Sequence, residues 1–100
     1  VGVAYKADID DTRESPALKL IELLQDEGAD VTYHDAFVSE LPEHGLSSTE
    51  LDPAGSDCVV IVTTHTGIDY DDLVKQAPLV VDLRNATGHN GTSNRKVWKL

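Results

Sequence analysis

The sequence has little sulfur and few aromatic side chains: one cysteine, no methionine and 5% aromatic residues. A single cysteine, Cys58, excludes an internal disulfide, which fits a protein of the reducing cytoplasm. Cys58 lies in SDCVVIV, a run typical of a buried strand, so we expect a core thiol. A catalytic thiol would need exposure and a cationic setting, which this run does not predict.

Cations are scarce as well, with 8 Lys and Arg residues against 18 Asp and Glu residues and a net charge of −10. A field of that sign repels nucleic acid and anionic membranes, which argues against both as partners. No apolar run approaches the ~20 residues that cross a bilayer. A cationic partner would suit this charge, but we favour a heavily hydrated acidic surface, adapted to high salt.

The length and composition predict one domain. One hundred residues, 40% of them apolar, can bury one modest core and are too few for two. The chain begins with VGVAYK rather than Met, and these residues already have the pattern of a strand. We therefore expect residues 1–100 to be a single domain of a longer protein.

A βαβ unit is predicted at the start of the chain. VGVAY, residues 1–5, is a short β-type run, and ADVTYHD, residues 29–35, is a second one. Between them, Ser15 suits a helix N-cap, Pro16 suits the first helical position and Gly28 suits the helix end. Apolar residues recur with helical spacing between these caps. The expected arrangement is a parallel pair of strands with a right-handed crossover.

The rest of the chain alternates between strand and helix patterns. The predicted elements are a central buried strand at 57–64, a short helix at 68–77 that begins near Asp69 or Tyr70, a strand at 79–84 and an edge strand at 95–100. Residues 36–56 give a weaker signal, with a short strand or turn around 46–51, and 86–94 is a polar loop. This alternation predicts an α/β fold with a Rossmann-like, doubly wound, mainly parallel sheet and flanking helices.

In such sheets, ligands bind beyond the carboxyl ends of the strands. Three loops leave those ends: YKADIDDTRES at 5–15, THTGID at 64–69 and RNATGHN at 84–90. We expect any site to be built from these three loops.

Two enzyme signatures match these loops poorly. Asp8 to Thr12 match DxDxT, the signature of haloacid-dehalogenase-type phosphatases, in which Asp8 would be the nucleophile and Asp10 the general acid/base. The match is weak, because Tyr5, Lys6 and Ala7 intervene between the apolar run and Asp8, and no lysine or acidic pair follows at the required places. A classical NAD site fails too, since no GxGxxG follows the first strand.

The full stretch AYKADIDDTRESPA is more specific than these fragments. It strongly resembles the loop that opens the C-terminal, UDP-binding domain of the UDP-glucose/GDP-mannose dehydrogenase family. The residues that match that family's pattern are Tyr5, Lys6, Asp8, Asp11, Arg13, Glu14, Ser15 and Pro16. The resemblance continues through GADVTYHD, DCVVIVTTH and VVDLRN to VWKL, and it is weakest over 36–56. The Asp-Asp pair and TYHD are most similar to the branch that acts on UDP-N-acetylhexosamines.

The resemblance implies an oxidoreductase. Such enzymes oxidise the C6 alcohol of a nucleotide sugar to a carboxylate in two NAD⁺-dependent steps. An N-terminal Rossmann domain binds NAD, a central helical segment joins and dimerises the subunits, and the C-terminal domain binds the nucleotide of the substrate. The family's catalytic residues lie largely upstream of this segment, so we expect no catalytic residue here. Residues 1–100 are expected to bind the UDP-sugar without oxidising it; a non-catalytic nucleotide-binding or interaction module is the alternative.

By the same resemblance, Lys6 matches a lysine that reaches the substrate, and Tyr5 lines the same pocket. Arg84 matches an arginine on the substrate side, and Arg13 matches one that faces the NAD pyrophosphate across the domain cleft. The chemistry agrees, because a UDP-sugar carries about two negative charges that Lys and Arg bind well. The alternative for Lys6 and Arg84 is a surface ion pair with a nearby acid.

The acids of the first loop are expected to be structural, because carboxylates near a helix N-terminus hold loop amides and are stabilised by the helix dipole. Asp11 in particular is expected to orient Arg13 or the loop backbone. His65 could bind a ligand or cap its loop, and the sequence leaves both open. The histidines lack metal-ligand spacing, so no metal site is predicted. Trp98 is expected to pack the last strand on the sheet.

Overall fold

A computed structural model describes residues 1–9, 11–13, 15–88 and 95–99. Within them the chain has an α/β architecture with a parallel sheet flanked by helices, which confirms the predicted fold class. The elements are α1 (Pro16–Asp26), β1 (Glu40–Leu41), a 3₁₀ turn (Pro42–His44), β2 (Leu46–Ser47), β3 (Val59–Ile61), α2 (Tyr70–Gln76), β4 (Val80–Asp82) and β5 (Val97–Lys99).

Helix α1 begins and ends where the sequence predicts. The Ser15 hydroxyl accepts a hydrogen bond from the Ala17 amide at 3.3 Å, and Pro16 occupies the first turn. Ala17 and Ile21 are buried on the face that packs on the sheet. Gly28 follows the helix with φ 89°, a conformation that costs glycine little.

The main sheet has the order β3-β4-β5, and both pairs are parallel. Strand β3, predicted as a central strand over 57–64, is shorter and lies at the edge of this three-stranded sheet, and its residues contribute to hydrophobic clusters on both faces. Among the described residues, one hydrophobic cluster lies under α1 and a second lies under α2. The antiparallel pair β1–β2 lies in the weakly patterned region, where a short strand or turn was predicted.

The predicted strands at 1–5 and 29–35 are wrong as regular strands, although the two segments lie side by side. The Gly2 amide donates to the His34 carbonyl at 3.0 Å, and the Val62 amide donates to the Val1 carbonyl at 2.9 Å. No ladder follows among the described residues there, because the amides of Val3 and Ala4 donate to the Asp35 carboxylate instead. A side-chain acceptor thus replaces the backbone ladder at the carboxyl end of the first segment.

Gly2 lies against the backbone of Thr63, the second residue after β3. Its φ is 80°, and a Cβ added to it would lie 2.1 Å from the Thr63 carbonyl oxygen. No other residue type fits that contact without moving the backbone.

Two predictions about single residues are wrong. Cys58 is exposed rather than buried, because it precedes the first paired residue of β3. Trp98 is 64% exposed. Side chains alternate along a strand, so Val97 points to the α2 cluster and Trp98 points to the opposite face. None of the described helices is long and apolar enough to span a membrane.

Candidate functional site

The three loops predicted to form a site all leave the carboxyl edge of the sheet region. We call residues 5–15 the first loop, 64–69 the second loop and 84–88 the third loop; Asp10, Glu14 and residues 89–90 lie outside the described part of the chain. A chain of buried polar contacts joins the first two loops, and a separate carboxylate organises the third.

Asp35 is the centre of the buried contacts. Its side chain is fully buried, and its Oδ2 accepts hydrogen bonds from the amides of Val3 at 2.8 Å and Ala4 at 3.1 Å. Its Oδ1 accepts from the Phe37 amide at 2.8 Å. Burial alone would raise the pKa of Asp35, but these bonds and one from His65 outweigh it and lower the pKa. Asp35 is therefore an ionised carboxylate inside the protein.

His65 connects Asp35 to the first loop. Its Nε2 lies 2.8 Å from Asp35 Oδ2, and its Nδ1 lies 2.7 Å from the Asp8 amide nitrogen. A backbone amide can only donate, so Nδ1 is unprotonated and Nε2 carries the proton that Asp35 accepts. The ring is buried, and Phe37 packs on it with ring centroids 4.8 Å apart. Both ring nitrogens are bound by the protein, so His65 organises the loops and does not face a ligand.

Asp8 fastens the first loop to the second by its carboxylate as well. Oδ1 accepts from the Thr66 amide at 2.6 Å, and Oδ2 accepts from the Thr66 hydroxyl. These bonds from Thr66 lower the pKa of Asp8. Asp8 has φ 59°, a left-handed conformation that non-glycine residues adopt rarely. Its carboxylate is thus engaged in structure, which argues against a phosphatase nucleophile; Asp10, the other acid of that motif, lies outside the described residues.

Asp11 and Arg13 form the pair that the sequence predicts. Asp11 accepts from the Arg13 Nε at 3.1 Å, from its Nη2 at 2.9 Å and from its backbone amide at 2.9 Å. The bidentate pair lowers the pKa of Asp11 and raises that of Arg13. The Asp11 carbonyl also accepts from the Tyr5 amide at 2.6 Å. Asp11 therefore fixes both Arg13 and the start of the first loop.

Tyr5 and Lys6 lie on the surface between these anchors. Tyr5 is 41% exposed, and the Lys6 ammonium lies 5.9 Å from the centroid of the Tyr5 ring. That distance permits a cation–π contact. Among the described residues, no carboxylate pairs with Lys6. The Lys6 side chain is exposed at this surface.

The third loop is organised by Asp82, the last residue of β4. Its carboxylate accepts from the amides of Arg84, Ala86 and Thr87, each at 3.0 Å, and from the Thr87 hydroxyl at 2.7 Å. Burial alone would raise the pKa of Asp82, but these bonds lower it. The loop is held while the Arg84 side chain stays exposed, and no described carboxylate pairs with its guanidinium.

Tyr70 lies between the loops. Its hydroxyl accepts from the His65 amide at 3.1 Å. Burial raises the pKa of Tyr70, and the charges of Asp8, Asp82 and Asp35 raise it further. The three carboxylates that organise the loops therefore all lie within electrostatic reach of one phenol.

The cations are displayed on an open edge rather than inside a cavity. A cavity of about 520 Å³ lies under α1 and includes none of Tyr5, Lys6, Arg13 and Arg84. No group of three or more His, Cys, Asp or Glu side chains in the described ranges could hold a metal ion. A ligand bound to this edge would therefore contact exposed cations and be open on one side.

Sequence reasoning missed Asp35 and Tyr70. The signal for Asp35 was present, because TYHD ends a β-type run with an aspartate, as VVD does at Asp82. The pairing of Asp35 with His65 joins residues 30 positions apart and has no local signature.

The comparisons with known proteins identify the family. The family model described as "UDP-glucose/GDP-mannose dehydrogenase family, UDP binding domain" matches residues 1–89. The chain belongs to this family. The resemblance seen in AYKADIDDTRESPA is confirmed, and the family match favours it over the phosphatase interpretation.

Relatives in the family carry names that describe several sugars. The chain is 35% identical to the UDP-N-acetyl-D-mannosamine dehydrogenase of Methanococcus maripaludis over 98% of its length. It is 35% identical to the UDP-glucose 6-dehydrogenase of Rhizobium meliloti over 85%. It is 30% identical to the GDP-mannose 6-dehydrogenase of Azotobacter vinelandii over 83%. The chain spans only 22% to 23% of the length of these relatives. No solved structure matches the chain.

Proposed function

We propose that this domain binds the UDP moiety of a nucleotide sugar for an NAD-dependent nucleotide-sugar 6-dehydrogenase. The parent enzyme oxidises the C6 alcohol of the sugar to a carboxylate, with further domains of the same chain supplying the catalytic residues. A UDP-N-acetylhexosamine is the proposed substrate, since relatives named UDP-N-acetyl-D-mannosamine dehydrogenase match 98% of the chain.

The observation that carries this proposal is the display of Lys6 and Arg84 at the carboxyl edge. Neither side chain has a carboxylate partner among the described residues, although acids outnumber cations 18 to 8 in the chain. Backbone anchors hold both residues in place, through Asp11 for the first loop and Asp82 for the third. A diphosphate with about two negative charges would pair with these cations, and Tyr5 would contact the same ligand on this open edge.

Arg13 is proposed to face the NAD pyrophosphate across a domain cleft. Asp11 binds its guanidinium through Nε and Nη2 in a bidentate pair, and Nη1 takes no part in that pair. One arginine does not make a dinucleotide site, and the sequence has no GxGxxG loop, so most NAD contacts are assigned to another domain of the parent enzyme. NAD supplies the hydride acceptor there, and the residues of this domain only bind and orient.

Titration calorimetry with UDP-N-acetylglucosamine, UDP-glucose and GDP-mannose tests the proposal. We expect the UDP-sugars to bind, and Lys6→Ala and Arg84→Ala each to weaken binding by about tenfold or more, since a charge-assisted hydrogen bond contributes roughly 1.5–3 kcal/mol. The matched control is Lys75→Ala, which removes the same charge from the exposed last turn of α2.

The control variant should bind as the unmodified chain does, because helices in such a sheet run back to the opposite edge. An absence of UDP-sugar binding at millimolar concentration would contradict the proposal. Equal loss of affinity in all three variants would indicate a general charge effect and not a site.

A further inference from the structure

We propose that Asp35 and His65 form a positioning pair that sets the placement of Lys6 through the amide of Asp8. The pair works in one protonation state only, so acid should release the first loop. The proposal rests on the proposed function only where it concerns UDP-sugar binding; its claim about the loop stands on contacts within the chain.

Asp35 selects the tautomer of the ring. Its Oδ2 lies 2.8 Å from His65 Nε2 and also accepts two backbone amides, so it can only accept at that position. The proton of the neutral imidazole therefore sits on Nε2, and Nδ1 is left as an acceptor. Both side chains are almost entirely buried, so water does not compete for these contacts.

The Nδ1 lone pair then holds the backbone of the first loop. The Asp8 amide donates to it at 2.7 Å, at a residue whose left-handed φ of 59° is unfavourable without support. The other end of the loop is held by the bond from the Tyr5 amide to the Asp11 carbonyl. Lys6 lies between these two anchors, so its position depends on both.

Protonation of the ring would reverse the contact at Nδ1. Three titratable groups face the ring from the surrounding segments: Asp35 at Nε2, the Asp8 carboxylate with Oδ1 3.7 Å from Nδ1, and the Tyr70 hydroxyl at the His65 amide. A protonated Nδ1 is a donor, so it repels the Asp8 amide and attracts the Asp8 carboxylate. While the ring is neutral, the Asp8 carboxylate is bound to Thr66. Acid would therefore break the bond from the Asp8 amide to Nδ1 and draw the carboxylate away from Thr66.

Nitrogen NMR and amide exchange test the loop directly. In the unmodified chain at neutral pH we expect His65 protonated at Nε2 only, and a protected Asp8 amide. His65→Gln can donate to Asp35 and accept from Asp8 without titrating, so it should keep the protection. His65→Leu can do neither and should lose it. His34→Gln is the matched control, since His34 contacts the Thr49 carbonyl instead.

A proton on Nδ1 at neutral pH, or unchanged protection of the Asp8 amide in His65→Leu, would overturn the proposal. If His65→Leu does not fold, the test is protection of the Asp8 amide on acidification, compared between His65→Gln and the unmodified chain. Protection should then fall with pH in the unmodified chain and persist in His65→Gln; parallel loss in both overturns the proposal.

Affinity for a UDP-sugar, measured from about pH 8 to about pH 5, tests the consequence for Lys6. Both phosphates of a UDP-sugar are esterified, so the charge of the ligand is constant over that range. We expect acid to weaken binding about tenfold in the unmodified chain, the equivalent of one lost hydrogen bond, and far less in His65→Gln. Matching pH profiles would overturn the proposal.

The two proposals fail in different ways. A chain that binds no UDP-sugar while its Asp8 amide shows the expected exchange pattern contradicts the proposed function and supports the positioning pair. A chain that binds UDP-sugars with a His65-independent pH profile supports the function and contradicts the pair.

Discussion

Two aspartates at the ends of extended segments, Asp35 and Asp82, use their carboxylates to bind backbone amides. Asp35 binds the amides of Val3, Ala4 and Phe37, and Asp82 binds three amides of the third loop. A short acceptor of this kind lets the chain turn away from the sheet without leaving buried amides unpaired. These two carboxylates therefore fix the positions at which the loops begin.

Gly2 gives a stability prediction at the same scale. Gly2→Ala should lower the free energy of unfolding by roughly 2 kcal/mol or more, because the new Cβ meets the Thr63 carbonyl oxygen and φ is positive. Urea denaturation measures the change. Gly45→Ala is the control, since Gly45 has φ 67° with nothing within 4 Å, so it should lose only about 1 kcal/mol from backbone strain. Equal losses in the two variants would contradict the steric explanation.

At the scale of elements, much of the fold could be predicted from local patterns. Helix α1 follows from Ser15, Pro16 and its apolar spacing, and α2 follows from Asp69, whose side chain accepts from the Asp72 amide. Strand β3 follows from an uninterrupted apolar run, and β4 follows from LVV, the apolar residues that precede Asp82. The irregular backbone of residues 1–5 could not be predicted in this way. Asp35, which is distant in sequence, binds the amides that a strand ladder would have used, and no local pattern reveals that contact.

In the candidate site, too, contacts between residues close in sequence could be predicted and contacts between distant residues could not. The pairing of Asp11 with Arg13 spans two residues and was predicted, whereas the bonds of Asp8 to His65 and Thr66 span 57 and 58 residues and were not. Contacts of that separation depend on how the loops meet in space. The roles of Tyr5, Lys6, Arg13 and Arg84 toward ligands stay predictions.

The third loop offers a prediction on acid stability. Asp82 has a lowered pKa, so its ionised form stabilises the fold above the unfolded value of about 3.9, and this stabilisation is lost as the pH falls through the lower folded value. Asp82→Asn should cost about 1–3 kcal/mol at neutral pH, since an amide cannot accept all four bonds. Its stability should then fall less steeply than that of the unmodified chain below about pH 4.

Chemical denaturation across pH measures both effects. Asp30→Asn, at an exposed position after α1, is the control and should keep the neutral-pH stability and the acid limb of the unmodified chain. An acid limb equally steep in Asp82→Asn would show that the third loop does not depend on the ionised carboxylate.

At the scale of the whole molecule, the charge of −10 sets the response to salt. Ion pairs are few among the described residues, and the one between Lys19 and Glu22 is exposed. Repulsion among surface acids should therefore dominate the electrostatics, and salt should screen it.

The melting temperature should accordingly rise by several degrees between about 0.1 M and about 1 M KCl, where the screening length falls from ~10 to ~3 Å. Thermal unfolding followed by circular dichroism measures the shift. A flat or falling melting temperature in KCl would contradict an adaptation to high salt.

The double attachment of Asp8, by amide to His65 and by carboxylate to Thr66, also bears on how such domains can be recombined. The first and second loops therefore form one structural unit, although about 50 residues separate them in the chain. A chimera that takes AYKADIDD from one homologue and THTG from another would put these contacts at risk, because each loop would meet a partner from a different protein. A graft of the first loop should therefore carry the second loop as well, together with Asp35, which supports both through His65.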